Sequence, residues 1–310
     1  MTKTSRVDRT AIALAIACTL GSPMAVLAAD GETAGVEIGQ AAGEPPASDP
    51  DGWRFQATAY GWLIGVSGSL TSRGQTVDLN ASFPQIVAKS DSIAAFMAYV
   101  EADKGKVGVY GDLVWTKLGF DRGSATYRNP LPGVQLSART NTALTTSMTI
   151  IEMGGLYEAA RWTHAPGSFT AIDGLLGFRY WSQSSDINLN VLASVNVTSL
   201  GIEQGRAFSI ARSGNVAWVD PVIGVRVRHQ FTPSQHLMVR GDVGGFGFAS
   251  QIAWQAVGVY SYSWQFTGYS LAGVIGYRAL GVDYSTGWGS NAAGANLVLH
   301  GPLVGFTLRF

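Results

Sequence analysis

The sequence predicts an all-β fold: an antiparallel transmembrane up-and-down β-barrel of about ten strands, with eight or twelve also open. Three observations predict it. Apolar and polar residues alternate at period two through most of the chain after residue 52. Beyond the leader, no apolar run approaches the ~18 residues of a membrane helix, although only 14% of the 310 residues are charged and Gly (39), Trp (9), Tyr (11) and Phe (13) are abundant. The final stretch, LVLHGPLVGFTLRF, sets Val304, Phe306, Leu308 and Phe310 on one face and Leu303, Gly305, Thr307 and Arg309 on the other.

Ahead of that region, residues 1–28 read as a secretory signal peptide. Lys3, Arg6 and Arg9 form its basic head, Ala11 to Leu20 its apolar core, and Val26-Leu27-Ala28 the cleavage site. Cys18, the only cysteine, falls inside it, so an exported chain without disulfides is expected to hold together by burial and a closed hydrogen-bond network. Residues 29–52 carry Asp30, Glu32, Glu37, Glu44, Asp49 and Asp51 with no basic residue, which predicts a disordered acidic periplasmic tail.

Residues 53–310 read as the barrel domain. Strand one, from Trp53, turns Trp53, Phe55, Ala57 and Ala59 to one side and Arg54, Gln56 and Thr58 to the other; Thr71 to Asp91 reads as a long loop. Strand two sets Ala94, Phe96, Ala98 and Val100 against Glu101 and Asp103. Strand three sets Val107, Val109, Leu113 and Trp115 against Tyr110, Asp112 and Thr116. A loop with Pro130 and Pro132 leads to strand four, where Ile151, Met153 and Tyr157 oppose Glu152 and Glu158. In strand five Ile172, Leu176, Phe178 and Tyr180 oppose Asp173 and Arg179. Residues 182–215 form the longest insertion, expected to extend as a hairpin. Strand six opposes Val219, Ile223, Val225 and Val227 to Asp220, Arg226 and Arg228, and strand seven opposes Leu237, Val239 and Val243 to Arg240 and Asp242. Strand eight places Trp254, Tyr260, Tyr262 and Trp264 together. Strand nine opposes Leu271, Ile275 and Tyr277 to Arg278, and strand ten is the terminal one. Connections after strands two, four, six and eight are short, the alternation expected when every second loop is a periplasmic turn.

In this terminal strand and alternating rhythm the chain resembles bacterial outer-membrane β-barrel proteins, the small class that includes OmpA-like and OmpW-like proteins. The resemblance covers residues 53 to 310, and its sharpest element is Phe310, the family's membrane-insertion signal. It implies localisation in the cell outer membrane, contact with outer-membrane lipid, and insertion by barrel-assembly machinery acting on the terminal strand. It also implies a structural role or a narrow passive channel for small or hydrophobic solutes.

The inward set gathers Arg54, Arg179, Arg226, Arg228, Arg240, Arg278 and Arg309 with Glu101, Asp103, Asp112, Glu152, Glu158, Asp173, Asp220 and Asp242. A ten-strand barrel lies nearer the side-chain-filled eight-strand size than the open porins, so a neutralised structural network is favoured over a selective constriction. Trp53, Trp115, Tyr157, Trp264, Tyr284 and Phe310 are expected in interfacial girdles. The histidines, His164, His229, His236 and His300, show no nucleophile–base–orienter pattern, so no enzymatic role is expected, nor any catalytic residue. No His or Cys cluster suggests a metal, no cofactor is expected, and zero net charge gives no support to nucleic-acid binding. An outer-membrane lipid hydrolase and a surface adhesion or partner-binding barrel are the alternatives.

Overall fold

The computed structural model describes residues 52–72, 75–131, 134–197, 202–289 and 292–310. The signal peptide and acidic tail expected at 1–28 and 29–52 lie outside the described residues, apart from Gly52.

The strands are β1 (Arg54–Trp62), β2 (Gly65–Ser72), β3 (Gln75–Ala81), β4 (Ser92–Lys104), β5 (Val107–Leu131), β6 (Val134–Ala165), β7 (Ser168–Val197), β8 (Ile202–Thr232), β9 (Gln235–Gly244), β10 (Ile252–Phe266), β11 (Tyr269–Thr286) and β12 (Ala293–Arg309), with one short helix, α1 (Phe83–Lys89). Every pairing is antiparallel, and β1 bonds β4 on one edge and β12 on the other. Ten strands, β1 and β4 to β12, therefore form a closed ring. Closure runs from Gln56↔Arg309 to Trp62↔Leu303 and leaves this seam no open edge.

Three of the four tight connections, after β4, β6 and β10, contain a positive-φ glycine: Gly105, Gly167 and Gly268. The fourth uses Pro233, with Thr232 Oγ1 accepting from the Ser234 and Gln235 amides at 3.3 and 3.2 Å. Both ends of the ring, Arg54 and Arg309, lie at this turn side.

The outward faces follow the predicted alternation. Phe96, Val109, Met153, Leu176, Phe178, Ile223, Ile275 and Phe306 are exposed. Between Lys104 at the turn-side end of β4 and Lys117 in β5, Asp186 in β7 and Asp283 in β11, the outward positions of the described residues carry no Asp, Glu, Lys or Arg. In β5 this uncharged stretch runs from Val107 to Trp115, matching the ~9–11 residues a tilted strand needs to cross a bilayer. Near the turn-side edge, exposed aromatics cluster: Phe55 stacks on Phe310 (5.8 Å), and Phe266 stacks on Tyr269 (5.0 Å). Tyr284 is not part of such a girdle. It faces inward and stacks at 4.4 Å on Trp218, because its place in β11 shares the parity of Arg278 and Leu280.

One predicted loop is part of the sheet instead. The segment expected as a loop around Pro130 and Pro132 continues the β5–β6 pairing to Leu131↔Val134. The 182–215 insertion extends as the expected hairpin, continuing β7 and β8 with pairing from Ser182↔Ala217 to Val197↔Ile202. Together β5 to β8 extend a dozen or so residues beyond the uncharged band, roughly 40 Å at ~3.3 Å per residue. The predicted Thr71–Asp91 loop holds the end of β2, all of β3, and α1.

The start of the chain also closes the lumen. Strand β2 continues the β1 register along β12, with Gly65↔His300 following Trp62↔Leu303 and the Leu63 amide donating to the Pro302 carbonyl at 2.8 Å. On its other edge, however, β1 leaves β4 after Ala59↔Ala98, and β2 pairs instead with β3. Strand β1 thus turns into the barrel, and the Trp62 amide donates to Met97 Sδ at 3.3 Å. Trp62, Ile64 and Val66, with Ile86 of α1, enter a fully buried apolar cluster with Val114, Leu118, Ile150, Leu280 and Leu299. The lumen predicted to be polar is polar only in its turn-side part; toward the long strands it is an apolar core.

Candidate functional site

The turn-side part of the lumen carries a layer of ion pairs, each held by strand alternation. Arg179, at 0% exposure, donates from Nε and Nη2 to Glu152 Oε2 (2.8 and 2.6 Å) and from Nη2 to Asp242 Oδ1 (2.6 Å). Arg240 pairs with the same two acids, reaching Asp242 Oδ2 at 3.0 Å through Nε and Glu152 Oε1 through Nη2. Its guanidinium also lies 4.9 Å from the Tyr110 ring centroid, and the Tyr110 hydroxyl donates to Glu152 at 2.8 Å.

Arg226 bridges Asp173 (2.7 Å) and Glu101 (2.6 and 3.0 Å), and Arg228 takes Asp173 through a fork (2.8 Å twice) and Glu158 at 2.9 Å. Arg226 and Arg240 stand directly opposite each other in the β8–β9 register, an unfavourable like-charge pair that these separate acids offset. Arg278 donates to Asp112 Oδ2 at 2.7 Å, Tyr60 at 2.9 Å and Gln255 at 2.8 Å, beneath Trp62 at 4.8 Å. At the rim, half-exposed Arg54 pairs with Asp103. Inward glycines make room for the tyrosines: a Cβ at Gly154 would sit 2.8 Å from Tyr110 Cε1, and one at Gly305 2.7 Å from Tyr60 Cβ.

Two predicted members stand apart. Asp220 accepts from the Ser250 amide (2.9 Å) and the Trp218 indole (3.0 Å), so among the described residues it anchors the β9–β10 connection rather than an arginine. Arg309 has no carboxylate partner among the described residues; Nη1 donates to Ser263 Oγ at 2.9 Å, and Nε reaches Gln56 Oε1 at 3.5 Å. One member is absent from the sequence reading. Arg161 pairs with Glu158 at 2.9 and 2.6 Å, three residues away, where plain alternation would put the two on opposite faces. The register slip between Glu158 and Ala160 turns them to the same side.

Between this layer and the turns lies a cavity of about 610 Å³, with Gln56, Thr58, His236, Ser261, Thr307 and Arg309 on its polar part and Val257, Val259, Val274 and Leu303 on its apolar part. Of the other histidines, His164 Nε2 and His229 Nδ1 both bond Thr170 Oγ1 (2.8 and 2.9 Å), and His300 Nδ1 bonds the Tyr277 hydroxyl at 2.8 Å. Among the described residues no group of three or more His, Cys, Asp or Glu is placed to hold a metal.

A closed antiparallel ring with an uncharged apolar exterior and a charged interior is the architecture of a transmembrane β-barrel. This chain is one. No known family matches the sequence, and no curated protein does. Solved structures similar in part include the attachment invasion locus protein Ail of Yersinia pestis, with 10% identity over 84% of this chain and 99% of that one and a TM-score of 0.28. They also include a FadL homologue of Pseudomonas aeruginosa (7% identity, 83% and 90%, TM-score 0.26) and the toluene transporter TodX of P. putida (7%, 84% and 89%, TM-score 0.21). The barrel assignment rests on the closed register and the two faces of the sheet, not on these distant likenesses.

Proposed function

We propose that the chain is a sealed barrel of the bacterial outer membrane, with a structural, non-enzymatic role: it holds the β5–β8 sheet above the lipid and passes no solute through its lumen. The observation that carries this reading is the double closure of the interior. Ion pairs with Arg179 at 0% and Glu152 at 0% exposure fill one level, and Trp62, Ile64 and Val66, all at 2% or less, fill the next. An ion crossing would have to part the acid–arginine clamps and then enter an apolar core, and each step costs several kcal/mol. Of the two roles expected from the sequence, the structural one fits this closure and the passive channel does not. The leader, the terminal Phe310 and the lipid-facing band support the outer-membrane placement, with lipid and the assembly machinery as partners.

Planar-bilayer recording on the folded protein tests it. The expected result is no unitary conductance from protein whose folding is verified by heat-modifiable gel migration. Reproducible single-channel steps would overturn the reading.

A further inference from the structure

We propose that the turn-side cavity is a binding site for a small monocarboxylate with an apolar tail, held through Arg309. This goes beyond the sealed-barrel reading and does not depend on it, since the cavity lies on the turn side of the closing layers.

The inference begins from charge. The other lumen arginines are engaged: Arg54 with Asp103, Arg161 with Glu158, Arg226 and Arg228 with Asp173, Arg179 and Arg240 with Glu152, and Arg278 with Asp112. Arg309 is different. Ser263 and Gln56, both neutral, accept from it, and the carboxylate that acts on it from a distance, Glu101, is already clamped by Arg226 at 2.6 and 3.0 Å. A cation drawn out of water whose direct hydrogen-bond partners are neutral is costly, and the missing carboxylate contact is the recognition element. A single guanidinium presents the planar fork that a carboxylate matches with two parallel hydrogen bonds.

The space beside it fits the rest of such a ligand. At about 610 Å³ the cavity lies within the range typical of small-molecule sites, and its walls divide by chemistry. Gln56, Ser261 and Thr307 offer hydrogen bonds near Arg309, and Val257, Val259 and Leu303 form an apolar wall. A carboxylate at Arg309 with its tail along that wall satisfies both parts.

Calorimetric titration of the folded chain in nonionic detergent with hexanoate, against 1-hexanol and inorganic phosphate at matched ionic strength, tests this. Saturable hexanoate binding is expected, at least tenfold tighter than hexanol or phosphate, weakened at least tenfold by R309Q and by a smaller factor by R309K, which keeps the charge but loses the fork. V259F, which fills the apolar wall and leaves Arg309 in place, is expected to weaken hexanoate by a similar factor, so the idea stays testable if changes in the terminal strand impair folding. Absence of saturable hexanoate binding, equal binding of hexanol, tighter binding of phosphate, or full retention in V259F would overturn the assignment.

Discussion

Replacing Arg179 by alanine is expected to destabilise the folded barrel by about 3–5 kcal/mol, the cost of removing one partner from a buried ion cluster. The size follows from what is left behind. Glu152 and Asp242 each accept from Arg179 at 2.6 Å, both are almost fully buried, and the remaining cation, Arg240, would have to serve them alone. The measurement is the urea unfolding midpoint in lipid vesicles, read by heat-modifiable migration. A loss under 1 kcal/mol would show that the layer is not electrostatically tight. An isolated rim pair gives the contrast: Arg54 is half exposed, so R54A is expected to cost no more than about 1 kcal/mol although it removes the same kind of contact.

The second large effect is expected at Trp62. At 0% exposure within the apolar closure, its truncation to alanine removes a large side chain from a packed core and is expected to cost about 3–5 kcal/mol. Yet W62A should not conduct. The ion-pair layer beneath it, including Arg278 against its ring, is built from β4 to β11 and does not depend on the indole for its carboxylate contacts. Stability lost with conductance still absent would separate the two closures; conductance in W62A would show that the apolar level alone seals the barrel.

Much of the wall was legible because a strand between lipid and a polar interior writes its two faces into alternate residues. Leu176 and Phe178 against Arg179, or Val225 and Val227 against Arg226, need no structure to sort. The reading failed where that contrast vanishes. From Trp62 to Val66 the inward residues are apolar, so neither face is marked, and a core was indistinguishable from a strand running into a loop. Tyr284 was placed outside for the same reason, since an aromatic near a strand end fits an interface as well as an internal stack.

The site was legible as a set and not as a circuit. Its fifteen inward charged positions in the sequence reading were sorted by parity alone, from Arg54, Glu101 and Asp112 to Arg240, Asp242 and Arg278, and Arg309 lines the cavity. Parity could not say that Arg309 would lack an acid or that Asp220 would serve a loop amide, because partners are fixed by tilt and stagger between distant strands. Arg161 was hidden by a local irregularity. A one-residue bulge reverses the sense of alternation, and nothing in small residues such as Ala159 and Ala160, which suit either face, announces it.

The central claim is that lipid covers one face of this sheet and the protein's own side chains cover the other. Single cysteines placed in turn at residues 174 to 181, in a chain without Cys18, and spin-labelled in lipid vesicles test it most directly through oxygen accessibility. The account predicts a period-two pattern with maxima at 174, 176, 178 and 180 and minima at 175, 177, 179 and 181. Maxima at the odd positions, or no alternation, would contradict it.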